Sequence, residues 1–144
     1  MKIIIEKPLD GEEEHVIIKC HNVSPELLAA INTLKSSVGH LVAYMGNEIY
    51  KINPSDVFYI ETVDNKTFLY SETNTYETRH KLYEIEELNI KDYLRISKSV
   101  IVNLSKIKSL KPSVYSRLEA VLINNERIII SRQYVAVLKK NFGL

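Results

Sequence analysis

Three short stretches of the chain combine cationic, amide and hydroxyl side chains: Asp64-Asn65-Lys66-Thr67, Arg95-Ile96-Ser97-Lys98-Ser99 and Ser131-Arg132-Gln133-Tyr134. Lys, Arg and Gln can bond to the edges of nucleic-acid bases, while Ser, Thr and backbone amides can hold phosphate oxygens. On chemistry alone, a nucleic-acid contact surface and three ordinary polar turns are equal readings. Charge distribution favours the first. Up to residue 90 the chain has 8 basic and 15 acidic residues, a net of −7; beyond it there are 11 basic and 3 acidic, a net of +8. The overall formal charge of +1 conceals this division. A basic half of this kind attracts polyanions because neutralising phosphates releases condensed counterions. Lys106, Lys108, Lys111, Lys139 and Lys140 add to it, each reading by itself as a solvated side chain.

Other chemistry lacks a constellation. His15, His21, His40 and His80 stand far apart, with no His-x-x-x-His spacing, so no metal site is expected. Gly11, Gly39, Gly46 and Gly143 occur singly, which leaves no glycine-rich phosphate loop. Cys20, on an Ile-rich segment, reads as a small apolar residue and not a nucleophile, and a lone Cys excludes an internal disulfide. Glu84, Glu86 and Glu87 read as a solvated helix face, since such spacing does not converge on one substrate. No catalytic residue, cofactor or small-molecule substrate is therefore expected.

The elements that must position the three stretches follow from periodicity. With 144 residues, 45% of them hydrophobic, the chain can build one core without staples. Its apolar runs of three to five residues fall far short of the roughly 20 needed to cross a bilayer, and no basic-then-apolar leader opens it. A cytoplasmic protein is expected. Lys2 to Lys7 and Glu14 to His21 read as two strands around Pro8, Asp10 and Gly11. Ser24, Pro25 and Glu26 open a helix whose Leu27, Ile31 and Leu34 form a stripe flanked by Leu28 and Val38, with Gly39 ending it. Leu41 to Met45 and Glu48 to Ile52 form a hairpin around Gly46-Asn47. Val57 to Thr62 and Thr67 to Glu72 are strands joined by Val63-Asp64-Asn65-Lys66, and Tyr76 to Arg79 follows a further turn. Leu82, Ile85 and Leu88 mark a short helix. Strand patterns resume over 97–104, 107–110, 115–123 and 126–131, with Asn124-Asn125 as a tight turn, and a helix spans 133–141. The expectation is an α+β chain, predominantly antiparallel β, preceded by a small β-β-α unit.

Ile52 to Glu61, Leu94 to Asn103 and Ile130 to Tyr134, in that order over roughly residues 43–144, resemble the three signature blocks of the LytTR family of DNA-binding domains. The resemblance implies an elongated stack of small β-sheets with short helices, not a helix-turn-helix, in a bacterial, response-regulator-like transcription regulator. It implies that loops read successive major grooves of double-stranded DNA carrying repeated half-sites. Carried over by position, the first reading loop is Asp64 to Phe68, with Asn65, Lys66 and Thr67 as contacts and the last two nearest the groove. Arg95, Ser97, Lys98 and Ser99 form the second, with Lys98 at a base and Arg95 and Ser99 at phosphates. Arg132 and Gln133 form the third. Gln133 departs from the Arg common in the family, and an amide prefers adenine where Arg prefers guanine. Asn103 reads as a buried or turn-fixing amide and Tyr134 as an anchor for the last helix.

Residues 1–42 are expected to be an accessory or interaction segment, too short for the receiver domain that many relatives carry, and residues 43–144 the DNA-binding domain. Packing of the Leu27, Ile31 and Leu34 stripe on the chain's own sheet is the default, with an interface as the rival. A homodimer and a restraining membrane protein are the partners that the resemblance implies. The rival function is a protein-interaction adaptor or anti-activator that keeps the scaffold without DNA affinity.

Overall fold

The sheet order is dictated by hairpins. In the computed structural model, which describes residues 1–37 and 39–144 without the side chains of 35–37, β1 (Leu41–Met45) and β2 (Glu48–Ile52) pair with Met45 opposite Glu48. Gly46 takes φ 62° at the first of two turn positions, the conformation that a Gly-first hairpin requires. β3 (Tyr59–Val63) and β4 (Lys66–Tyr70) pair with Val63 opposite Lys66, so the turn is Asp64-Asn65 alone. Their φ values of 51° and 63° match a two-residue turn whose twist suits the strands.

Adding β5 (Thr75–Thr78), β6 (Tyr93–Arg95) and β7 (Val100–Asn103) completes a seven-stranded antiparallel sheet of order β2-β1-β5-β4-β3-β7-β6. β1 joins β5 through the single pair Tyr44 and Glu77, so the β1–β2 hairpin hangs on the edge of a five-stranded unit. β8 (Ile107–Pro112), β9 (Leu118–Leu122) and β10 (Arg127–Ile130) form a second antiparallel sheet.

Alternation along β7 divides the interior in two. Ile101 enters a cluster with Leu41, Ala43, Ile60, Leu69 and the α2 (Leu82–Glu87) residues Leu82 and Ile85. Val102 enters the other, with Phe58, Ile96, Leu118, Leu122, Ile130 and Leu138 of α3 (Val135–Asn141). The large sheet is thus covered by α2 on one face and by the small sheet with α3 on the other. Asn103 is buried, donating from Nδ2 to the Val57 carbonyl at 2.8 Å and accepting from Ser105 N–H at 3.1 Å.

The N-terminal part differs from its reading. α1 (Pro25–Ser37) starts as expected, with Ser24 Oγ accepting from Leu27 N–H at 3.1 Å. The two strands expected before it do not form: residues 1–24 carry no strand, and Ile3, Ile4, Ile5, Val16 and Ile17 are exposed. A two-stranded ribbon with nothing to cover its apolar face is marginal in water. Leu27 and Ile31 are half-buried and Leu34 is exposed, and none of them is among the buried residues of the two core clusters. The expected flanking Val38 lies outside the described residues. Among the described residues, no helix is long and apolar enough to cross a membrane.

Candidate nucleic-acid interface

The β3–β4 turn, the β6–β7 loop and the segment after β10 meet at one edge because backbone hydrogen bonds join them. Thr62 N–H donates to the Ser99 carbonyl at 2.9 Å, tying the first to the second. Ser131 N–H donates to the Ile96 carbonyl at 2.9 Å, tying the second to the third. Ile96 is fully buried and pegs the middle loop into the core, so the loop's polar residues are held at a fixed height.

Lys66, Lys98, Arg132, Gln133 and Asn65 are exposed on this edge, and no hydrogen bond or ion pair occupies their side chains among the described residues. Lys66 is the first residue of β4 and no longer part of the turn. Strand alternation then turns Thr67 inward, where it is only 5% exposed and its hydroxyl lies 3.2 Å from Thr62 Oγ1. Thr67 thus faces the interior beside Thr62, its cross-strand partner, while Lys66 before it is exposed.

Arg95 is held within its own loop. Its Nε donates to the Ser97 carbonyl at 2.6 Å, Nη2 to the Lys98 carbonyl, and Nη1 pairs with Glu86 Oε1 on α2. The guanidinium clamps the loop from within, where the sequence suggested a hand held out to phosphate. Ser97 Oγ accepts from Ser99 N–H at 3.2 Å, so it too serves the loop's own shape.

A feature not anticipated from sequence borders Arg132. Tyr115, Arg117, Ser131, Arg132 and Gln133 line a cleft of about 330 Å³. Sequence reading placed Tyr115 at the start of a strand, but Tyr115 and Ser116 take φ values of 57° and 59° and turn the chain before β9. This costs roughly 1–3 kcal/mol for a non-Gly residue and is held by its surroundings. The Arg117 guanidinium stands 5.9 Å from the Tyr115 ring centroid. Pro112-Ser113 and Ser116 were the available turn signal. Arg79, just after β5, lies with its guanidinium 4.7 Å over the Tyr44 ring.

Two phenols brace the scaffold behind the edge. Tyr93 donates to the Pro54 carbonyl at 2.7 Å, and burial first, then the Asp56 charge, pushes its phenol above the ordinary range. Tyr59 stacks on Tyr70 at 4.4 Å; burial, then the neighbouring Glu126 carboxylate, pushes its phenol up as well. Glu84, facing solvent, is held below the ordinary carboxylate range, chiefly by the Lys81 backbone N–H and then by His80.

The family model described as the LytTr DNA-binding domain matches residues 47–143. The chain belongs to the LytTR family. Its structure aligns with the LytTr DNA-binding domain of a Bacillus cereus protein described as a methyl-accepting/DNA response regulator. The TM-score is 0.69 at 29% identity, over 74% of this chain and 98% of that one. The sensory transduction protein LytT of Enterococcus faecalis is 26% identical over 92% of this chain and 57% of its own length. A Staphylococcus aureus protein described as an uncharacterised HTH-type transcriptional regulator is 28% identical over 82% of this chain and 80% of its own length. The chain thus spans a little over half the length of the LytT protein. Residues 47–143 are a LytTR DNA-binding domain, and the mostly antiparallel architecture is the family's.

Proposed function

We propose that this protein is a transcription regulator that binds double-stranded DNA sequence-specifically through one edge of its LytTR domain. Asn65 and Lys66 at the β3–β4 turn, Lys98 and Ser99 in the β6–β7 loop, and Arg132 and Gln133 after β10 approach successive major grooves. The observation that carries this reading is the pair of backbone hydrogen bonds, Thr62 to Ser99 and Ser131 to Ile96, which gathers three unpaired cations on one edge. Arg117 and Tyr115 extend the edge toward the flanking phosphates. Lys98 and Arg132 read bases, and Gln133 favours adenine over guanine at its position. Repeats about 10 to 10.5 base pairs apart, or a multiple, place two copies on one face of the duplex. Residues 1–42 serve as an interaction segment toward a second copy or a restraining membrane protein.

Selection of bound duplexes from a random library, followed by titrations at several salt concentrations, tests the reading. Wild-type affinity is expected to fall steeply with salt. In a Lys98→Ala, Arg132→Ala double variant each substitution is expected to cost about 1–3 kcal/mol and to relax selectivity at its own base. A double variant that binds as the wild type does would sink the site assignment. A wild type that enriches no sequence would leave the adaptor reading in its place.

A further inference from the structure

We propose that Glu86 on α2 is a positioning residue for the DNA-binding edge. Its carboxylate orients the Arg95 guanidinium so that Nε and Nη2 can clamp the Ser97 and Lys98 carbonyls and hold out the Lys98 side chain. The inference rests on the DNA-binding reading above.

The loop between β6 and β7 is four residues, Ile96 to Ser99. Its first residue is anchored by burial and by Ile96 N–H donating to the Val100 carbonyl at 3.0 Å. Between those anchors, Arg95 takes the carbonyls of Ser97 and Lys98 with two different guanidinium nitrogens. A guanidinium is a rigid planar fork, so fixing one nitrogen fixes the direction of the others. Glu86 fixes that third nitrogen from a different element, nine residues earlier in the chain. The Arg95 side chain is 22% exposed and that of Glu86 43%, so the pair stands at the surface with its guanidinium half withdrawn from water. The ion pair also lines a 400 Å³ pocket with Ile85, Tyr93, Leu94 and Tyr134, where Arg95 is held against α2 and not turned outward.

Electrostatics alone makes the opposite prediction. A carboxylate beside a polyanion-binding edge repels DNA, so its removal should tighten binding. If Glu86 positions the loop, removal should loosen specific binding despite the lost repulsion. The test uses the full chain with Glu86→Ala, where Ala supports the helix, and Arg95→Lys, which keeps the charge but not the fork. The probes are the duplex obtained by selection and an unrelated duplex of equal length.

Both variants are expected to bind the selected duplex about tenfold more weakly, the scale of one lost charge-assisted hydrogen bond. Binding to the unrelated duplex should not weaken in either variant, and the repulsion lost in Glu86→Ala should tighten it slightly; the salt slope should stay unchanged, whereas loss of a phosphate contact would lower it by about 0.9. In DNA-free protein, the amides of Lys98 and Ser99 should exchange hydrogen faster in both variants. Equal or tighter binding of the selected duplex by Glu86→Ala, or full rescue by Arg95→Lys, overturns the proposal. A wild type that binds neither duplex overturns the DNA reading instead.

Discussion

Ile3-Ile4-Ile5 and Ile128-Ile129-Ile130 are the same tripeptide in one chain, and only the second forms a strand. Ile130 is fully buried against Leu118 and Leu138, within the cluster that closes the small sheet onto the large one. Ile4, at the centre of the first run, is 65% exposed. The intrinsic preference of the residues is identical, so the difference lies in what surrounds them. β10 has β9 alongside it in four-residue register. Among the described residues, the hydrogen bonds of residues 1–23 reach only two or three residues, such as Leu9 N–H to Glu12 and His15 to the Glu13 carbonyl. Strand formation in this chain is decided by long-range pairing and covering, and propensity alone does not achieve it.

That contrast can be broken or sharpened by substitution. The largest effect is expected from Ile130→Ala, which should lower unfolding free energy by about 2–5 kcal/mol in denaturant titration, the usual cost of emptying a closed core site. Next comes Asn103→Ala, expected to cost about 1–3 kcal/mol because it strands the Val57 carbonyl that the amide reaches across 46 residues.

Tyr93→Phe should cost about 0.5–1.5 kcal/mol, one neutral hydrogen bond to Pro54. Its pH dependence has a definite sign. The folded state disfavours the phenolate, so this stability is fully present below the ordinary value of 10.0 and is lost as pH rises through the higher folded value. Alkaline unfolding of Tyr93→Phe should therefore be less steep than that of the wild type. The smallest effect belongs to Ile4→Ala, expected within about 0.5 kcal/mol of the wild type. A cost for Ile4→Ala as large as that for Ile130→Ala, measured at protein concentrations where the chain is monomeric, would show that the first run is packed after all.

A similar lesson applies to the two arginines of the edge. Arg95 and Arg132 both stand in polar loops, and sequence chemistry gave both to DNA. Arg132 is exposed with no bond among the described residues, while Arg95 spends three of its nitrogens on Ser97, Lys98 and Glu86. Thr67 shows the same limit on a smaller scale. Its side chain is buried beside Thr62 while Lys66, one step earlier, is exposed, since successive residues of a strand point to opposite faces.

Much of the scaffold was legible without coordinates: the Ser24 helix start, the Gly46-Asn47 hairpin, the short helix through Leu82 and Ile85, and the buried amide of Asn103. The first three depend on turn chemistry and periodicity, which act between residues two to four apart, whereas for Asn103 only the turn-fixing bond to Ser105 is of that kind and its buried bond to Val57 is long-range. Tyr115 and Ser116, in left-handed turn geometry, were not legible, because an ordinary strand pattern runs through them.

By itself, then, the sequence determined the hairpins, the helix starts, the basic half and the three polar stretches, all consequences of near neighbours. Tertiary structure alone decided that those stretches share an edge, that Arg95 faces its own backbone, and that the first Ile run has no partner strand. Those outcomes depend on which donors find which acceptors, and which apolar faces are covered, by elements distant along the chain.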